Sequence, residues 1–432
     1  MKRVAQRYNY SVTTLAPLHI GSGEVMAPLE YHIADDLIVP ELDLIFAKYP
    51  DAAARFTELL SAMSGRELAR TEMGELIDPA VFDDAAIRRY SITPFQNDAK
   101  KFDSLDKLSG EIKARQAEVR LFIKTPKHEP YIPGSSIKGA LRTAWAYEQC
   151  KTGQNIYDAI SGLAWQGYEK NADQRLTMQV FYSPAQKRER ERREFRERDA
   201  AFDVFRVLQV GDSQPRPSDE VLLLVAERVL SANVGARTNG EPDDDRYPAR
   251  FDDNWVFDEA IDEHFNFDGQ IAFNESLLMD ETAKRVMRWN QAQSELTLEK
   301  ILQAVNRFAA DLCQWEIEYF ERIDDNPKRC DVIDVLSFYD ELKTKIEEAP
   351  PDTCYFSLGR GSGWHKLTIG LLLEKRMRRD QFAEVRRRLN LAKNRIDFEY
   401  PKSRKLVMNG NNSAYSPFGW VKLKVTGENT EG

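Results

Sequence analysis

The segment Tyr131–Trp145 constrains local structure more tightly than any other stretch of this chain: a run of small residues opens an amphipathic helix. Pro133 ends the extended residues before it, Gly134 frees the backbone, and Ser135 or Ser136 is placed to cap the first unpaired helical N–H groups. Ile137, Ala140, Leu141, Ala144 and Trp145 then follow the spacing of a helix with one buried stripe. Lys138 and Arg142 lie one turn apart on a different face. A helix N-terminus favours an anion through its N–H groups and dipole, and two nearby cations add to that preference, so the stretch suits a phosphate. It lacks the glycine and lysine order of a nucleoside-triphosphate loop, which leaves a polynucleotide backbone as the better-fitting ligand. The same residues also suit a capped core helix whose Lys138 and Arg142 are merely solvated.

The 432 residues exceed what one core usually fills, so two domains are expected, 1–213 and 214–432, with a linker marked by Pro215 and Pro217. Cys150, Cys313, Cys330 and Cys354 have no paired spacing for zinc or a redox loop and read as reduced thiols. No apolar run approaches a membrane span, and the first residues lead into strand-like alternation rather than a signal core, so a cytoplasmic protein without membrane contact is expected. The net charge of -9 is unusual for a nucleic-acid binder, but its distribution is uneven. Acids dominate 241–281, including Asp243, Asp244, Asp245, Asp258 and Glu259, whereas Lys375–Lys405 is rich in arginine. Separate acidic and basic surfaces are expected, the first able to receive a basic protein neighbour, although either run also suits an ordinary solvated face.

Strand-like alternation covers Tyr8–His19, followed by a turn at Gly21, Ser22 and Gly23. Residues 42–118 read as a helical insertion, with one stripe through Phe46, Tyr49, Ala53, Phe56 and Leu60 and another through Leu105, Leu108 and Ile112. Strands are expected at Val119–Lys124, Phe205–Val210, Val221–Leu230, Thr353–Leu358 and Trp420–Val425, and helices at Leu298–Arg322 and Val332–Glu347. Lys187–Asp199, almost wholly charged, is an exposed helix or a loop, and Asp268-Gly269 reads as a hairpin turn. This mixture indicates an α+β fold, and the recurrence of Gly-Ser-Gly at Gly21 and Gly361 hints at two units on one plan. In Gly359–Lys366 the glycines let backbone approach a ligand, Arg360 and Lys366 bring charge, and Trp364 brings a stacking face; a tight turn with Trp364 in the core is the other reading.

The Pro133–Arg142 stretch resembles the glycine-rich signature of the CRISPR repeat-associated RAMP proteins. Further segments match in order: Leu15–Glu24, Asp203–Ser213, Leu358–Lys366, Tyr400–Lys405 and Pro417–Val421. Together they resemble RAMP subunits of the type III-A (Csm) CRISPR effector complex. The resemblance implies two ferredoxin-like, RRM-like domains with helical insertions and a non-catalytic subunit that binds CRISPR RNA (crRNA) and caps its 3′ end. It also implies a part in crRNA maturation through recruited host nucleases, and two neighbours, the repeated backbone RAMP subunit and the small helical subunit. The RNA-facing residues expected are Gly134, Ser135, Ser136, Lys138 and Arg142; Gly359, Arg360, Gly361, Ser362, Gly363, Trp364 and Lys366; and His19, Gly21, Ser22 and Gly23.

Catalysis without a metal would need a general acid or base, and His19, beside the glycine turn with Glu24 shortly after, is the best placed of five histidines. The alternative it leaves open is a RAMP-class endoribonuclease cutting CRISPR repeat RNA. His19 and Glu24 read more readily as structural or phosphate-facing. No cluster has two-metal spacing, so neither metal nor cofactor is expected.

Overall fold

The computed structural model describes residues 5–68, 71–94, 117–154, 157–158, 161–162, 172–182, 202–232, 248–323, 330–391 and 400–428. The Leu105–Ile112 stripe, the charged run Lys187–Asp199, Asp243–Asp245, Lys393 and Arg395 lie outside them. The strands are β1 (Gln6–Thr14), β2 (Gly21–Met26), β3 (His32–Ile33), β4 (Leu37–Pro40), β5 (Arg88–Pro94), β6 (Val119–Phe122), β7 (Leu208–Val210) and β8 (Leu222–Ala232). Then follow β9 (Ala249–Phe251), β10 (Val256–Ile261), β11 (Asn266–Phe273), β12 (Thr353–Ser357), β13 (Ser403–Met408), β14 (Ala414–Pro417) and β15 (Trp420–Glu428). The main helices are α1 (Leu42–Lys48), α2 (Pro50–Ala62), α3 (Gly134–Thr152), α4 (Leu298–Glu321) and α5 (Ile333–Glu347). The fold is α+β.

The first sheet runs β12-β15-β1-β11-β7 with every neighbouring pair antiparallel. Taken along the chain, β1, α3, β7, β11, α4 and β15 form a βαββαβ series, and in the sheet those strands stand fourth, first, third, second. That is the ferredoxin-like arrangement, with β12 added at the edge. The alternation Tyr10, Val12, Thr14 places one face of β1 in the core. Tyr147 on α3 meets Phe308 on α4 with ring centroids 4.5 Å apart. Farther along, Phe320 on α4 stacks on Tyr339 of α5, whose ring meets Trp420 edge-on.

The second sheet is organised on β8. One edge of this strand pairs with β10 and then β9; the other takes β5 in parallel and then β13. With both edges filled and most side chains buried, Leu222–Ala226 reads as a continuous apolar run, interrupted after it by the buried Glu227 and Arg228. Outside β10 lie β6, parallel to it, and β2 at the rim.

The division expected at 213/214 does not follow the sheets. β1 lies between β11 and β15, and β8 pairs with β5, so each sheet draws strands from both sides of that position. A ferredoxin-like unit closes its sheet by setting its last strand beside its first, which carries the C-terminal strand back to the N-terminal one. The insertion is only partly helical: Phe46, Tyr49, Phe56 and Leu60 pack on a small separate core of Ile45, Met73, Leu76 and Phe82, but β5 follows. Phe205 sits in a 3-10 turn, and only Leu208–Val210 is strand.

Asp268-Gly269 is not a turn. Both residues lie inside β11 opposite Ser11 and Tyr10. The Tyr10 ring covers the spot where a Cβ on Gly269 would stand, and its hydroxyl donates to the Gly211 carbonyl at 2.8 Å. Glycine is required here by a neighbour's ring. Gly269→Ala is therefore expected to cost about 1–3 kcal/mol by overpacking. Gly139→Ala, on an exposed position of α3 with open space around it, is expected to stabilise by about 0.5–1 kcal/mol. Urea unfolding of the two variants checks the opposite signs.

Candidate nucleic-acid interface

Gly134 begins α3 because the carbonyls of Val210 and Gly211 fill the space a side chain would need. Its N–H donates to Asp212 Oδ1 at 2.8 Å, and no side chain caps the helix from Pro133. Neither Ser135, which is exposed, nor Ser136 is the N-cap expected from the sequence. A carboxylate of the chain itself already answers the positive helix end. Lys138 Nζ donates to the Leu208 carbonyl at 2.7 Å, and burial lowers its pKa. Arg142 pairs with Asp203 at 2.8 Å and lies 3.6 Å above the Phe181 ring. The two cations that looked poised for a phosphate thus hold β7 and the turn before it against α3.

The other two motif segments meet directly. Gly359 and Gly361 have φ of 60° and 77°, a left-handed backbone that suits glycine. Gly359 packs against the His19 carbonyl, Gly361 against Phe418, and the Arg360 N–H donates to the His19 carbonyl at 2.8 Å. Gly21 lies under the His19 ring, and Gly21, Ser22 and Gly23 are exposed, as are Gly359 and Gly363. Gly21–Gly23, read from the sequence as a turn, instead open β2, and this strand start and the later glycine loop form one rim.

Beneath that rim is a buried charged node. The Arg360 guanidinium grips both oxygens of Glu227 on β8, with Nη2 2.6 Å from Oε1. Asp258 on β10 is fully buried, with Arg360 Nε, Arg120 Nη1 and His19 Nε2 each 3.9 Å from one of its oxygens. Burial pushes the Asp258 carboxyl up to about 7, against the pull of Arg120 and Lys405. Its neighbour Glu259 accepts from Tyr90 and from the Phe122 N–H, each at 2.7 Å, and pairs with Lys124. His19 Nδ1–H donates to the Glu259 carbonyl at 2.6 Å, and burial lowers its pKa to about 4, so the imidazole is neutral at pH 7.

Trp364 is half-buried, with its ring over Gly370 and beside Tyr400 at 5.3 Å. Lys366 lies over the Trp420 ring at 5.3 Å, and the Ser362 hydroxyl is buried without a hydrogen-bond partner. The small helical face of Ala140 and Ala144 approaches Lys366 across a cavity of about 20 Å³. Among the described residues no group of three or more His, Cys, Asp or Glu could hold a metal ion, and no helix could cross a membrane. All four cysteines are buried free thiols.

The RAMP superfamily model matches residues 11–364. The chain belongs to the RAMP superfamily. It is 25% identical over 253 residues to the Mycobacterium tuberculosis (strain CDC 1551 / Oshkosh) "CRISPR system Cms protein Csm5", covering 56% of this chain and 63% of that relative. A Streptococcus thermophilus protein of the same name is 28% identical over 144 residues, 33% of this chain and 39% of the relative. The chain thus spans less than two thirds of these curated relatives' length. A chain in the cryo-EM structure of a Csm-crRNA-target RNA ternary complex in a type III-A CRISPR-Cas system superposes with TM-score 0.65 at 22% identity, covering 98% of this chain and all of that one. The crystal structure of T. onnurineus Csm5 superposes with TM-score 0.60 at 20% identity, covering 95% and 99%. These likenesses concern the fold.

In this RAMP protein the acids at 258 and 259 are turned inward, whereas most of the basic run stays at the surface, with Lys375, Arg376, Arg378, Arg379, Arg387 and Arg388 exposed. Asp258 and Glu259 belong to β10 and are answered by the chain's own Arg120, Lys124 and Arg360. From the basic run, Arg387 and Arg388 pair with Glu384, and Arg404 with Glu316. Glu227 and Arg120 were not singled out from the sequence, and Asp258 was read only as part of the acidic run; the missed signal was Asp258-Glu259 inside the apolar alternation of Trp255–Ile261. A carboxyl whose pKa rises on folding makes the folded chain hold a proton that the unfolded chain releases, so stability falls as pH rises from the ordinary aspartate range to about 7. Asp258→Asn is expected to gain on the wild type between pH 5 and pH 8 in guanidinium titrations; a gap independent of pH contradicts this.

Proposed function

We propose that this RAMP protein is a non-catalytic, RNA-binding subunit of a type III-A CRISPR ribonucleoprotein. It sits at the filament end where the 3′ part of the crRNA runs, and it supports crRNA maturation and antiviral defence in the cytoplasm. The observation that carries the reading is the joined glycine rim of Gly21–Gly23 and Gly359–Gly363, where two exposed backbone segments lie side by side. Exposed glycine backbone suits a sugar-phosphate strand of any sequence, and a guide-binding subunit must accept guides that differ in sequence. The similarity to a chain of a Csm-crRNA-target RNA complex supports crRNA and other Csm subunits as partners; the repeated backbone RAMP subunit and the small helical subunit are the neighbours proposed, with host nucleases recruited for maturation.

The endoribonuclease alternative is less favoured, because His19 is buried, neutral and tied to a backbone carbonyl. Purified protein incubated with CRISPR repeat RNA is expected to leave it intact, with or without His19→Ala; cleavage lost in that variant would establish the alternative. Single-stranded RNA binding is expected to weaken with salt, and Lys405→Ala, an exposed cation beside the rim, to reduce the logarithmic slope by about 1. Replacing Lys138 and Arg142 by Ala is expected to lower the unfolding midpoint and leave that slope unchanged, since both side chains are engaged within the fold.

A further inference from the structure

Between the β2 and β6 edge of the second sheet and the elements β4, β5 and the start of α1 lies a groove of about 630 Å³. Its floor is apolar, with Met26, Val39, Met73 and Phe122 buried and the Tyr90 ring beside them. The charge stands at the mouth, where Glu24, Glu30 and Asp43 line the groove and are exposed. The cations that line it are Arg89 and Lys124, and both are engaged elsewhere. Arg89 holds Glu41 in a forked pair, Nε to Oε2 at 2.9 Å and Nη2 to Oε1 at 3.1 Å, and Lys124 holds Glu259. Glu30 accepts the Ala27 N–H at 2.8 Å, and among the described residues Glu24, Glu30 and Asp43 make no ion pair.

The groove is separate from the glycine rim although β2 borders both. Ser22, Glu24 and Met26 line it as alternate residues of one strand, whereas Gly21 lies against the His19 ring instead. Beside the acids, Val25 and Leu44 are each 48% exposed, next in sequence to Glu24 and Asp43. Unpaired carboxylates around an apolar floor repel a phosphate strand and attract a cation. A small polycation would answer the charge and leave Val25 and Leu44 bare. A protein segment answers both, because lysine and arginine lay apolar stems on such a floor while their charged heads reach the acids at its edge.

We propose that this groove docks a basic segment of an adjoining protein subunit, with lysine or arginine stems on Met26, Val39 and Met73 and their heads at Glu24, Glu30 and Asp43. This rests on the reading of the chain as a subunit of a ribonucleoprotein; it adds the face that meets a protein neighbour and the charge that neighbour carries. β2 then serves two partners, RNA along its glycine backbone and protein through Glu24.

The test is carboxyl footprinting with carbodiimide and glycine ethyl ester, read by mass spectrometry, on the free full chain and on the ribonucleoprotein assembled with its co-expressed subunits. Labelling of Glu24, Glu30 and Asp43 is expected to fall about 5-fold on assembly and to stay low after nuclease digestion. Asp43→Lys is expected to lower incorporation into the complex about 10-fold, while the isolated variant binds single-stranded RNA within about 2-fold of the wild type. Protection that is lost with the RNA overturns the protein assignment, and so does equal protection of the free chain by spermidine. Labelling in the assembled complex as high as in the free chain overturns the groove and leaves the subunit reading standing. A chain that joins no complex overturns both. The wild-type footprint decides the matter even if the variant folds poorly.

Discussion

The contact on which most of this architecture depends is the grip of Arg360 on Glu227. Through its backbone N–H, Arg360 is bonded to the carbonyl of His19, at the start of the turn into β2; through its guanidinium it is locked to β8, the strand that organises the second sheet. One residue thus joins three segments that are far apart in sequence. Glu227 is fully buried and Arg360 largely so, and burial pushes the Glu227 carboxyl up to about 8; such pairs are asymmetric in energy, the intact pair recovering only part of its desolvation, whereas removing one partner leaves an unmatched group in the interior at a cost of about 3–5 kcal/mol. The glycine loop is therefore set by β8 and the His19 turn as much as by its own backbone.

That arrangement explains how an acidic chain keeps its carboxylates around 258 off the surface. The acids that dominate the sequence around 258 are drawn into β10, where Arg120, Lys124 and Arg360 answer them. What is left at the rim is backbone from glycines, the exposed lysine Lys405 and one exposed carboxylate, Glu24. Charge counted along the chain misleads here because the pairing is made between neighbouring strands and loops whose residues lie more than a hundred positions apart in sequence.

Much of the secondary structure was legible. Helix α3, the long α4 and α5, and strands β8, β12 and β15 follow from apolar periodicity, which depends only on which face meets a core. The convergence of the two Gly-Ser-Gly segments was only hinted at by their recurrence. Other features were hidden because their cause lies elsewhere in the chain. Gly269 is a glycine on account of the Tyr10 ring, so a local rule for Asp-Gly reads it as a turn. Lys138 and Arg142 stand at helical spacing on a polar face, and nothing nearby in sequence announces that Leu208 and Asp203 will reach them. The sheets cross the position expected as a break, 213/214, for the same reason: closing β1 between β11 and β15 is a long-range event that composition does not record.

The account stands or falls on the Arg360 and Glu227 pair as the fastening of the glycine rim. A double-mutant cycle with Arg360→Met and Glu227→Met, followed by denaturant unfolding at pH 7, measures it directly. Each single change is predicted to destabilise strongly, by about 3–5 kcal/mol, and the double change to recover most of that loss, giving a coupling of roughly 2 kcal/mol or more. Additive effects, with the double variant as unstable as the sum of the singles, would contradict it.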